Sequence, residues 1–111
     1  MPRLTWSEMM AAHPAGHLIV AITPDGNPEN AAKLLERLFD DVELRGDYAL
    51  KPKEGAAPIV ECAFALKGDA NALAKAFNAK AGSKFPGWAS QREFILDRAT
   101  EAAIISVLAE D

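Results

Sequence analysis

Apolar positions along the chain recur with different periods in successive stretches, and each period predicts an element. Thr5 and Glu8 stand at capping-box spacing, and Trp6, Met9 and Met10 then give one apolar side to a short helix that His13-Pro14 ends. Residues 17–23 are rich in Ile and Val between turn residues, which predicts a strand apolar on both faces and central in a sheet. Asn27 before Pro28 forms an N-cap and first-turn pair. Ala31, Leu34, Leu35, Leu38 and Phe39 then recur at three- and four-residue steps, so a helix starts there.

Val42, Leu44, Tyr48 and Leu50 alternate with Glu43, Arg45, Asp47 and Ala49, which predicts a half-buried strand over 42–50 and a surface loop over 51–58. Val60, Cys62, Phe64 and Leu66 then point one way, and Ile59, Glu61, Ala63 and Ala65 the other. Asp69 reads as the N-cap of a helix that carries Leu73 and Phe77 and stops at Gly82. An aromatic loop (Phe85, Pro86, Gly87, Trp88), a strand over 91–97 and a helix over 100–110 complete the chain.

This order predicts a single α+β domain over residues 1–111. Its expected form is a ferredoxin-like split βαβ sandwich: βαββαβ with an antiparallel four-stranded sheet in the order 4-1-3-2, a short N-terminal helix and an additional C-terminal helix. Both long helices then cover one sheet face. With Leu18, Val20 and Ile22 turned toward them, Ile19, Ala21, Ala63 and Ala65 lie together on the opposite face, rimmed by Glu43, Arg45 and Asp47. An apolar patch of that kind calls for a cover, either the C-terminal helix or a second copy in a homodimer.

Composition narrows the function classes. Of the 55 apolar residues 22 are Ala, so the core rests on the remainder. The one cysteine, Cys62, cannot form an internal bridge and fits a reduced compartment. The first apolar run, 18–22, is too short for a membrane span or an export signal, so a cytoplasmic location is expected. A net charge of −4 argues against general nucleic-acid binding, although the basic residues gather over 67–98.

No constellation fixes a chemistry, and no catalytic residue, metal site or cofactor is assigned. His13 and His17 are separated by the helix breakers Pro14 and Gly16. Cys62 reads as a small buried hydrophobe. The strongest local candidate for protein binding is Trp88 with Phe85, Phe94 and Arg92, a composition found at interface hot spots. The expected function is therefore a small regulatory or protein-interaction domain without enzymatic activity, acting through the open sheet face and the Trp88 loop.

Two other readings stay open. The strand, turn and helix within residues 18–78 resemble the amino-acid-binding ACT family, and that resemblance implies a small-ligand sensor binding at the turn. Read from the residues themselves, a ligand between the first strand and the first helix would be an amine-bearing molecule in contact with Asp25 and Asn27. The other is a cofactor-independent enzyme with a pocket between the sheet and the closing helix and His17 or Glu61 as base.

Overall fold

The computed structural model describes residues 3–24, 27–42, 44–81 and 87–109. Along the chain come α1 (Trp6–Ala12), β1 (His17–Ile22), α2 (Pro28–Asp41), β2 (Tyr48–Lys53), β3 (Ile59–Phe64), α3 (Lys67–Ala76), β4 (Lys80–Ala81), β5 (Ser90–Ile95) and α4 (Arg98–Ala109). The two early helices start where their caps place them. Thr5 Oγ1 accepts from the Glu8 N–H at 3.2 Å while Glu8 Oε1 accepts from the Thr5 N–H at 3.0 Å. Asn27 Oδ1 accepts from the N–H groups of Glu29 and Asn30, which satisfies donors that the first turn of α2 leaves unpaired.

The architecture is α+β. The described strands form a five-stranded sheet in the order β2-β3-β1-β5-β4, with β2 and β4 at its edges. This corrects the expected four-stranded antiparallel sheet in two respects. The extra strand β4 pairs antiparallel with β5, and β5 runs parallel to β1. The chain reverses direction once more between β4 and β5, so the last long strand enters beside β1 in the opposite sense to an all-antiparallel sheet.

Element boundaries shift for identifiable reasons. β2 begins at Tyr48, not at residue 42, and extends to Lys53. Pro52 is tolerated there because β2 is an edge strand. α3 begins at Lys67 with Leu66 as its N-cap residue. Asp69 is therefore not the cap but sits inside the first turn. Asn78 closes α3 with a positive φ of 55°, a conformation that Asn adopts more readily than most residues.

The facing of β1 is the principal correction. Ile19 pairs with Cys62 and Ala21 with Val60, so these four side chains share one face. They belong to the core with Leu35 and Phe39 of α2 and Leu73 of α3. Ile19 and Ala21 therefore point toward the helices, and the expected patch of Ile19, Ala21, Ala63 and Ala65 does not exist. Leu18, Ile19, Val20 and Ala21 are all buried. A strand covered on both faces carries no alternation, and a one-residue slip in reading it exchanges every side chain between faces.

Around Ala49 and Ala63 the opposite face is covered by α1, not by α4. In register across it lie Ala49, Ala63 and Leu18. Met9 of α1 packs on Ala49 and Ala63, joined by Leu4, Trp6, Met10, Ala65 and Trp88. The small alanines let the short helix approach the sheet closely. α4 lies instead on the other side, alongside α2.

Candidate functional site

α2 packs on β2 and β3, α3 packs on β1, β3 and β5, and α4 packs on α2. Between α3 and the α2–α4 pair the helix layer is left open, forming a groove of about 1210 Å³. Leu73 and Ile104 are its buried apolar lining. Val42, Leu66 and Val107 border it with 51%, 44% and 50% of their surface exposed. Apolar side chains left this open along one concavity mark a surface that gains from being covered.

Polar groups gather at the end of the groove formed by Arg45, Lys67 and Asp69. The buried Asp69 carboxylate accepts from the backbone N–H of Arg45 at 3.2 Å and of Gly46 at 2.9 Å. That tie holds the segment before β2 against the start of α3. The acid is thus engaged by the backbone, and Arg45 and Lys67 give this end its positive charge. Such a site can hold an apolar body and orient an acidic group beside it. Among its described lining residues Asp69 is the one carboxylate.

The residues singled out in the sequence go to separate places. Trp88 lies against Trp6 with ring centroids 6.0 Å apart, on the α1 side of the sheet. Arg92 is in register with Ile19 and so lies on the opposite face. Phe94 also turns that way, stacked on Phe77 at 4.4 Å. Trp88 and Arg92 therefore do not form one hot spot. Asp25 and Phe85 lie outside the described residues, as do Gly26, Glu43, Gly82, Lys84 and Pro86. Asn27 is engaged in capping α2.

Trp88 acts as the clamp of α1. Trp88→Ala is expected to cost about 1–3 kcal/mol, less than a fully buried aromatic because the ring is only half-buried. Hydrogen exchange should show protection lost first at the amides of α1, with α2 unaffected. Uniform loss across the sheet would count against this role.

The two bases considered from sequence stand on opposite faces. Glu61 pairs with Lys53 at 2.8 Å and is in register with Val20. His17 is in register with Phe64, and its Nδ1 lies 2.8 Å from Ser90 Oγ. His13, the other histidine, meets Asp47 at 2.9 Å. Burial pushes the thiol pKa of Cys62 up, and the Glu61 carboxylate adds to the effect, so the thiol stays protonated.

Burial first, then the charges of Lys67 and Arg92, hold the His17 pKa below its ordinary 6.5. The unfolded chain therefore takes up a proton before the folded one does. The resulting stability is fully present above that ordinary value and is lost as pH falls through the lowered one. Urea denaturation between about pH 7.5 and about pH 5 should show stability falling with acidification. His17→Gln should flatten that slope, and an unchanged slope would assign it to other groups.

No family model matches the chain, and no curated protein or solved structure matches it significantly. The class defined by the geometry is an α+β domain with an apolar groove in its helix layer. Among the described residues no helix is long and apolar enough to cross a membrane.

Sequence reasoning missed the groove because it is a gap between helices, and no single stretch encodes it. One signal was present. Residues 102–105 and 107–109 are apolar around most of the circumference of α4, more than one neighbouring helix can cover.

Proposed function

We propose that this chain is a cytoplasmic protein-interaction domain, without a catalytic role, that takes the apolar side of a partner helix in the groove between α3 and the α2–α4 pair. The observation that carries this reading is the groove itself, about 1210 Å³ in volume with Val42, Leu66 and Val107 half-exposed along it. Sites that enclose a small molecule are usually about 300–1,000 Å³ and hide most of the ligand. A longer, open concavity lined by aliphatic side chains suits a helix that inserts anchors at three- and four-residue steps. The reading moves the interaction surface away from the sheet face and the Trp88 loop, which α1 occupies.

Replacing Leu66 with a photo-reactive amino acid tests it. Cross-linking should attach a polypeptide at a mapped helical segment, whereas the same residue in place of the exposed Ile95 on the sheet should not. No product at position 66, or equal products at both positions, would remove the groove from the account.

A further inference from the structure

We propose that the imidazole of His17, the hydroxyl of Ser90 and the charged groups of Lys67 and Arg92 form a binding site for a phosphate monoester, at the corner of the sheet where β1 and β5 begin. His17 opens β1 and Ser90 opens β5. Their parallel register sets them side by side, with His17 Nδ1 2.8 Å from Ser90 Oγ. Arg92 stands two residues beyond Ser90 on the same strand, so both side chains leave the same face of the sheet. On the other flank His17 is in register with Phe64, the last residue of β3, and Lys67 begins α3 shortly after it. His17, Ser90 and Arg92 are half-buried and Lys67 is exposed, so the corner is open to solvent.

The charges at this corner are left without a counterpart. The chain has 16 Asp and Glu against 12 Lys and Arg, so carboxylates are plentiful. Among the described residues, however, neither Lys67 nor Arg92 forms an ion pair. Both act on His17, adding to burial in holding its pKa below the ordinary value, while Phe64 across from it brings no charge. Perturbed groups of this kind gather where ligands bind, and an anion set among them relieves the repulsion.

The His17–Ser90 pair adds a neutral donor. If Nδ1 accepts from the hydroxyl, Nε2–H is free to donate; if Nδ1–H donates to Oγ, the Ser90 O–H is free instead. Either tautomer leaves one donor beside two cations. A phosphate monoester carries a charge of about −1.5 to −2 near neutral pH and three strong acceptor oxygens. The Arg92 guanidinium can grip two of those oxygens and Lys67 supplies a point charge. A carboxylate or a phosphodiester has a single negative charge and leaves one cation unmatched.

Nuclear magnetic resonance of the isotope-labelled chain at about pH 7.5 and constant ionic strength tests the site, with inorganic phosphate and methyl phosphate as probes. Each should shift the His17 ring and the amides of residues 17, 90 and 92 saturably, with a dissociation constant below about 5 mM. Bound phosphate should raise the titration midpoint of His17 by about half a pH unit or more, because it favours the protonated ring. Acetate and dimethyl phosphate, singly charged, should bind at least about tenfold more weakly. Arg92→Gln and Lys67→Gln should each weaken phosphate at least about tenfold, whereas Lys75→Gln, further along α3, should not. Wild-type shifts that do not saturate, a His17 midpoint unmoved by phosphate, or an equal response to the singly charged anions would overturn the inference. So would binding left unchanged by Arg92→Gln or by Lys67→Gln. Cross-linking from position 66 reads the groove alone, so helix docking and phosphate binding can each fail without the other.

Discussion

Phe39→Ala is expected to lower the unfolding free energy by about 3–5 kcal/mol, the largest single-residue effect in the molecule. Phe39 is fully buried. Its ring meets Tyr48 edge-on at 5.4 Å and Phe64 at 5.5 Å. Removing it leaves a cavity where α2 sits on β2 and β3, and the neighbouring rings cannot close it without leaving their rotamers. Tyr48 is coupled to the same site. Its hydroxyl donates to Asp40 at 3.3 Å, and burial, reinforced by the Asp40 carboxylate, pushes its pKa up to about 12. Urea denaturation gives the size of the loss. A change below about 1 kcal/mol would mean that α2 does not rest on the sheet through this ring.

The second large effect is expected at Asp69. Asp69→Ala leaves the N–H groups of Arg45 and Gly46 without their acceptor, at an expected cost of about 2–4 kcal/mol. Asp69→Asn keeps an acceptor oxygen and should lose clearly less. The two amides report directly, since their hydrogen exchange should accelerate in the Ala variant before the core strands respond. Because Leu44 and Arg45 line one end of the groove, this variant should also weaken whatever binds there. Undisturbed exchange at positions 45 and 46 would mean that the carboxylate does not hold that segment.

These two sites show what could be read from the chain alone. The position of Phe39 followed from steps of three and four residues after an Asn-Pro start, because helix phase and cap chemistry are local properties. The inward set on β3 was legible for a similar reason, since its large and small residues alternate. Asp69 was recognised as a polar residue near a helix start, but its partners lie 23 and 24 positions earlier in the chain, and no local rule connects them. β4 had no pattern to read: Lys80 and Ala81 form a strand only because Glu93 and Arg92 lie across from them. The facing of β1 was undecidable for want of any polar position between residues 18 and 22. The groove belongs to the same category, being defined by the gap between α3 and the α2–α4 pair.

The central place of β1 has a consequence for biosynthesis. Its two neighbours are β3 and β5, and β5 ends at Ile95, so a chain emerging from the ribosome carries β1 with one unpaired edge until residue 95 has been made. Closure of the sheet is correspondingly a late event that waits on contacts distant in sequence. A product shortened before β5 would present the Ile- and Val-rich row of β1 as a template for strand addition, which makes β5 the guardian of the sheet against aggregation.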